Sequence, residues 1–144
     1  MKKVLLILAC GIATQLSYAQ ATPKWADKAK KAVFSIVTYD KDNKIKNTGN
    51  GFYINENGTA LSDYTLFEGA ERAVIINADS KELPVLRILG ANSMYDIVKF
   101  NTEADKKTIA LKSASQPASV GETVYLLTYS TLKPATCQTG TVTK

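Results

Sequence analysis

The chain has 144 residues, with 18 lysines and arginines against 13 acidic residues and no histidine, a length that fits one domain of ~100–150 residues. The charges are interspersed along the chain, which argues against a nucleic-acid partner. We expect no metal and no cofactor, because the chain lacks His, has only two cysteines and shows no calcium-loop spacing of its acidic residues.

The N-terminus has the pattern of a secretory signal peptide over residues 1–19. Lys2 and Lys3 precede the apolar run Val4–Ala9, and Ser17–Ala19 supplies the small residues of a cleavage site. We therefore expect the mature chain to begin at Gln20 and to be exported, either to a periplasm or into the medium.

Cys10 offers an alternative, in which the chain is a lipoprotein anchored through this residue. Cleavage at Ala19 would instead remove Cys10 and leave Cys137 as the only thiol, so that no intramolecular disulfide could form. We expect no membrane span, because no segment after residue 19 approaches the ~20 apolar residues that a spanning helix needs.

Short strands dominate the remaining chain. Thr22 as a cap and Pro23 at the first helical position predict a short helix within residues 20–32. From Val33 onward the apolar period is two, which is typical of strands. The predicted strands are Val33–Tyr39, Ile45–Ile54, Gly58–Asp63, Ala73–Ala78, Leu83–Leu89, Asp96–Asn101, Thr123–Tyr129 and Thr136–Thr143. Many short strands separated by turn residues predict an all-β barrel or sandwich.

Alternation along these strands also predicts the core, since successive side chains of a strand point to opposite faces. The expected core pairs are Phe52 with Ile54, Val74 with Ile76, Leu86 with Ile88, Val98 with Phe100, and Val124 with Leu126. The two glycines of Gly49–Gly51 predict a turn or bulge, and not a phosphate loop, because neither a Lys-Ser/Thr pair nor a helix follows them.

The segment Gly49–Ala70 contains Gly-Asn-Gly-Phe-Tyr-Ile, then Asn-Gly-Thr-Ala-Leu-Ser-Asp-Tyr-Thr, and it ends in Glu-Gly-Ala. It resembles the segment of trypsin-like serine peptidases of the Deg/HtrA type that reads Gly-Ser-Gly-Phe-x-Ile, then Asn-Gly-x-x-Leu-Thr-Asn-x-His-Val-Val-x-Gly-Ala. In this alignment the catalytic histidine of the family falls on Thr65.

Three later segments extend the resemblance over nearly all of the mature chain. Tyr95–Phe100 is similar to the family's Asp-Leu-Ala-Val-Leu-Lys strand, whose first residue is the catalytic aspartate, and the resemblance places that residue at Asp96. Val120–Val124 resembles the family's Val-Gly-Glu-x-Val, and Gln138–Thr143 resembles its Thr-x-Gly-x-Val-Ser.

The resemblance implies a trypsin-like fold. It implies a six-stranded antiparallel first barrel at residues 33–104, followed at residues 105–144 by a connector and the opening hairpin of an incomplete second barrel. The family's nucleophile motif, Gly-x-Ser-Gly-Gly, does not occur in the sequence. We therefore expect this sequence to be a fragment of a longer protein.

The residue at the histidine position decides the expected activity. A threonine hydroxyl cannot serve as the general base, because its pKa lies far outside the working range. Without the histidine, Asp96 would be a vestigial triad position that caps backbone N–H groups, and Thr65 would have no catalytic function. The chain as it stands would then not be an enzyme.

These observations favour a pseudopeptidase that binds a peptide or protein by strand-edge pairing. Two alternatives stay open. The chain could be the N-terminal part of a hydrolase whose serine nucleophile lies beyond residue 144, or it could be an unrelated exported β-barrel interaction module.

Overall fold

The computed structural model describes residues 23–104, 108–130 and 133–144. The predicted signal peptide, its cleavage site, Cys10 and the predicted helix cap Thr22 lie outside these described residues. Within the described ranges, no helix is both long enough and apolar enough to cross a membrane.

The described chain contains one short helix, one 3-10 turn and eight strands. Their bounds are α1 Ala26–Lys30, β1 Val33–Tyr39, β2 Ile45–Tyr53, β3 Thr59–Ser62, the 3-10 turn Tyr64–Leu66, β4 Arg72–Ile76, β5 Glu82–Asn92, β6 Ile97–Thr102, β7 Thr123–Ser130 and β8 Lys133–Thr141.

Six of the strands close into an antiparallel barrel in the order β1-β2-β3-β6-β5-β4, and β7 pairs with β8 in a separate hairpin. The predicted fold class, an all-β chain with a six-stranded barrel, an additional hairpin and a short N-terminal helix, is confirmed. That residues 105–144 begin a second barrel stays a prediction.

Apolar side chains from all six barrel strands fill the interior. Val98 and Phe100 are buried as predicted. Val74 is also buried, but Ile75 and not Val74 belongs to the core cluster, and Ile76 is half-buried. The core cluster consists of Phe34, Ile36, Tyr53, Ala60, Ile75, Leu83, Val98 and Phe100. Burial of such side chains is the main favourable contribution to folding, at about 1.5–3 kcal/mol for each large aliphatic or aromatic residue.

β1 is buried on both faces. Every residue from Val33 to Thr38 is buried, whereas a strand with one solvent-exposed face would be buried only at alternate positions. One face of β1 contributes to the barrel core, and β7 packs against this strand from outside the barrel. The hairpin is therefore seated on β1.

On β2 the predicted core pair has the right period but the wrong face. Phe52 is exposed and Ile54 is half-buried, while Gly51 and Tyr53 are buried. Gly51 has no apolar side chain, so the alternation of apolar residues indicated the face of Phe52 and Ile54 as the core face.

Two further predicted core pairs are wrong. Leu86 and Ile88 are 60% and 46% exposed, because the pairing of β5 with β4 ends at Pro84 and leaves the rest of β5 with one strand neighbour. Val124 and Leu126 are also exposed, because the hairpin turns its other face towards the barrel.

The N-terminal helix starts later than predicted. It begins at Ala26, with Trp25 as the N-terminal flanking residue and without a side-chain cap, because the Ala26 N–H donates to the Pro23 carbonyl in a preceding turn. Trp25 is 49% exposed, and its ring packs edge-to-face on Tyr125 at 5.0 Å between centroids. The helix thus contacts both strands of the hairpin.

Gly49–Gly51 forms part of β2 and is not a turn, which corrects the prediction from its glycines. Gly51 is required by packing and not by backbone conformation. A Cβ atom at this position would lie 2.5 Å from Cε2 of Phe34 and 2.9 Å from the carbonyl oxygen of Leu61.

We predict that Gly51→Ala lowers the free energy of unfolding by about 1–3 kcal/mol, because the added methyl group overpacks the core. Gly90→Ala is the matched control, since a Cβ atom on Gly90 of β5 would meet nothing within 4 Å. Chemical denaturation of the two variants would measure the difference. Equal unfolding free energies would contradict the packing around Gly51.

Candidate functional site

Thr65 lies in the 3-10 turn that follows β3. Asp63 is extended and precedes this turn without capping it through its side chain. Phe67, just after the turn, packs on Phe100 of the core at 5.2 Å between ring centroids. The Asn47 side chain donates to the Thr65 and Leu66 carbonyl oxygens at 3.4 Å and 3.3 Å. The turn is thus fixed to the barrel.

Asp96 reaches this turn from the residue before β6. Its φ is +51°, in the left-handed region that Asp and Asn adopt more readily than most other non-glycine residues. The Asp96 carbonyl oxygen accepts the Tyr64 N–H at 3.2 Å, and carboxylate Oδ1 accepts the Thr65 N–H at 2.7 Å. Asp96 therefore supplies the acceptors that the first N–H groups of the turn need.

The Thr65 hydroxyl completes the contact. Thr65 Oγ1 lies 2.8 Å from Oδ1 and 2.8 Å from Oδ2 of Asp96, so its single proton is directed at the carboxylate. The two residues aligned with the family's catalytic His and Asp thus form a hydrogen-bonded pair. The predicted capping by Asp96 is also confirmed by its contact with the Thr65 N–H. That the pair is a vestigial catalytic site stays a prediction.

These donors lower the pKa of Asp96 below its ordinary value of 3.8. The backbone N–H of Thr65 is the largest cause, followed by the Thr65 hydroxyl, and the Tyr64 N–H makes a smaller contribution, while partial desolvation opposes them. Each donor stabilises the charged carboxylate over the protonated form.

Asn50 is a site residue that the sequence did not indicate. Its side-chain N–H donates to the Tyr129 carbonyl oxygen and to that of Phe34, and its Oδ1 accepts the Tyr129 N–H at 3.4 Å. Asn50 therefore bridges β1, β2 and β7. No local pattern predicts a contact between residues 79 positions apart, so only the three-dimensional structure could reveal it.

A cavity of about 360 Å³ lies between the outer face of the barrel and β7. Its wall includes Asp63, two residues before Thr65, and Ile97, the residue that follows Asp96. Its lining is mainly apolar and comprises Val33, Asn50, Gly51, Phe52, Leu61, Ser62, Asp63, Ile97, Leu111, Tyr125 and Leu127. This volume falls within the ~300–1,000 Å³ of typical ligand pockets.

Across the described ranges, no group of three or more Cys, Asp or Glu side chains is arranged to hold a metal ion.

The fold is that of trypsin-like serine peptidases. No family model matches the chain, and no curated protein matches it in sequence. Among solved structures, it is similar to a serine endoprotease from Yersinia pestis, with a TM-score of 0.71 and 16% sequence identity. The match covers 83% of this chain and 43% of the Yersinia chain, so this chain spans less than half of that protein.

We predict that Thr65→Val raises the pKa of Asp96 part of the way back towards 3.8. The substitution removes the hydroxyl donor but keeps the backbone N–H, which is the larger cause of the lowering. Thr65→Ser is the matched control and should leave the pKa unchanged, because serine keeps the hydroxyl. The pKa would be measured by NMR titration of the Asp96 carboxyl carbon.

The sign of the stability effect follows from the same shift. A carboxyl group whose pKa is lowered on folding stabilises the fold above its unfolded pKa of ~3.9 and loses this contribution as the pH falls through the lower folded value. Thr65→Val should therefore weaken the acid dependence of stability in this range. A variant pKa at or below that of the unmodified protein would contradict the assignment.

Proposed function

We propose that this chain is an exported trypsin-like domain without peptidase activity, used to bind a peptide or protein. The observation that carries the proposal is the contact between the Thr65 hydroxyl and both carboxylate oxygens of Asp96. In the active form of this fold, the position aligned with Thr65 would hold the general base.

The chemistry of the pair supports inactivity. The pKa of a threonine hydroxyl lies too high for it to accept a proton from a serine near neutral pH. The hydroxyl also donates its proton to Asp96, which is its stable arrangement beside a carboxylate. Asp96 itself has an ordinary structural task in the 3-10 turn, so its presence does not require catalysis.

The surface beside the pair supports a binding role. The cavity between the barrel and β7 has a mainly apolar lining, which is typical of a recognition surface. β7 and β8 form a two-stranded sheet with edges that no other described strand pairs, and such edges accept added strands.

A second candidate is the N-terminal part of an active hydrolase whose serine lies beyond residue 144. The 43% coverage of the Yersinia endoprotease supports this candidate, because a nucleophile could be provided by a region that this chain does not match. It would need a base other than histidine. The third possibility, an unrelated barrel module, is disfavoured by the TM-score of 0.71.

We predict that the protein recovered after export from a bacterium starts at Gln20 by intact mass. A diacylated Cys10 in the mass spectrum would overturn the proposed processing.

We also predict that the purified protein does not react with a fluorophosphonate probe and does not cleave casein. Asp96→Asn should leave this negative result unchanged, and an active trypsin-like peptidase is the positive control. Stoichiometric labelling of a serine would overturn the proposed inactivity.

A further inference from the structure

The sequence contains the dipeptide Asn-Gly twice, at Asn50–Gly51 and at Asn57–Gly58. Asparagine is a labile residue, and a following glycine has no side chain to shield its backbone nitrogen from the asparagine side chain. That nitrogen can attack the side-chain amide carbon and close a cyclic imide, provided that the local structure lets the two groups meet. The structure places the two copies in opposite environments, so one chain contains both a candidate site and its matched control.

Gly51 lies inside the barrel sheet. It is buried, and it has a strand partner on each side, in β1 and in β3. The Tyr53 N–H donates to the Ala32 carbonyl oxygen at 3.0 Å on the β1 side. Because backbone N–H groups of alternate strand residues point to the same side, the Gly51 N–H also points into the β1–β2 ladder. Its nitrogen is therefore not free to attack.

The Asn50 side chain is held as well. Its amide nitrogen lies within hydrogen-bond distance of the carbonyl oxygens of Phe34, Gly49 and Tyr129, and its Oδ1 accepts the Tyr129 N–H at 3.4 Å. Imide closure needs this amide to leave those partners and the Gly51 nitrogen to leave the ladder. Both changes require β2 to separate from β1 and β7, and core strands open only at a high free-energy cost.

The peptide group between Asn57 and Gly58 lies in the turn that joins β2 to β3. The turn is held on either side of this peptide group, because the Asn57 N–H donates to Asn55 Oδ1 at 3.0 Å and the Gly58 carbonyl oxygen accepts the Thr102 N–H at 3.0 Å. Gly58 has a φ of +81° but tolerates either sign of φ. The peptide group can therefore rotate while both bonds persist.

The Asn57 side chain is free to follow this rotation. Asn57 is exposed, and among the described residues no hydrogen bond holds its side-chain amide. Only a local motion of an exposed turn separates the amide carbon of Asn57 from attack by the Gly58 nitrogen. Such motions have the lowest opening free energies in a folded protein.

We propose that Asn57 is a site of spontaneous deamidation in the folded protein, whereas the fold protects Asn50 from the same reaction. The Gly58 nitrogen forms a bond to Cγ of Asn57, and its proton leaves with the Nδ2 group as ammonia. Water then adds to either carbonyl carbon of the imide and opens it, which gives aspartate or isoaspartate at position 57. This inference does not depend on the proposed binding function.

The two positions also differ in the consequence of the reaction. At position 57 the product adds a carboxylate to an exposed turn. At position 50 it would replace the amide donor by a carboxylate that faces the Tyr129 carbonyl oxygen, so a hydrogen bond would be lost and two acceptors would repel each other. Protection of Asn50 therefore preserves the contact between the barrel and the hairpin.

The test is incubation of the purified protein in mildly alkaline buffer, where the attacking nitrogen loses its proton more readily, followed by peptide mapping with mass spectrometry. We expect the acidic product at position 57 to form at least about tenfold faster than at position 50, because Asn50 reacts only after β2 opens. In guanidinium chloride both positions should react at similar rates. Asn57→Gln should abolish the fast product, since its longer side chain must close a larger ring.

Three outcomes would overturn the proposal. Similar rates at the two positions in the folded protein would show that the fold does not protect Asn50. Faster reaction at Asn50 would reverse the assignment. Reaction of both positions in guanidinium chloride but of neither in buffer would show that the turn protects Asn57 as well.

A second experiment tests the consequence at position 50. Trp25 is the single tryptophan and packs on Tyr125 of β7, so its fluorescence reports the position of the hairpin. Asn50→Asp should shift the Trp25 emission to longer wavelength while circular dichroism shows that the barrel persists. Asn57→Asp makes the same chemical change in the exposed turn and should leave the emission unchanged. An unchanged emission in Asn50→Asp, or loss of the barrel itself, would contradict the assigned role of the Asn50 amide.

Discussion

The hydrogen bonds between Asp96 and the 3-10 turn join the two halves of the candidate site. β3 and β6 are neighbours in the barrel, and Asp96 connects the turn that leaves β3 with the start of β6. The Asp96 carboxylate accepts the Thr65 N–H and the Thr65 hydroxyl, and the backbone carbonyl oxygen of Asp96 accepts the Tyr64 N–H. The Thr65 N–H and hydroxyl lower the pKa of Asp96, so the contact that shapes the turn also stabilises the charged carboxylate.

The barrel core holds the 3-10 turn in place. Phe67 follows the turn and packs on Phe100, which is fully buried at the centre of the core. On the other side, Asn50 lies between two close-packed glycines of β2 and holds the hairpin to the barrel. Asn50 of β2 thus holds β7 against the barrel, while Phe67 fixes the turn to the core through Phe100 of β6.

The sequence predicted the strands well, because alternation and turn residues are local signals. The resemblance aligned Thr65 and Asp96 with the family's catalytic His and Asp, and the structure joins the two side chains by a hydrogen bond. The sequence failed to predict the faces of β2, β5 and β7. Gly51 has no apolar side chain, so the pattern of β2 did not show which of its faces is buried. Leu86 is exposed because the β4–β5 pairing ends before it, and Leu126 is exposed because it lies on the face of the hairpin that is turned away from the barrel. Asn50 could not be foreseen, because its partner is remote in sequence.

The central claim is that Thr65 and Asp96 occupy the positions of a catalytic His–Asp pair. Thr65→His tests it directly by NMR, because the natural chain contains no histidine and the new imidazole gives the only such signal. Beside the Asp96 carboxylate, the imidazole pKa should lie above the ordinary value of ~6.5, and adding Asp96→Asn should return it towards that value. An imidazole pKa at or below ~6.5 in the Thr65→His protein would contradict the account.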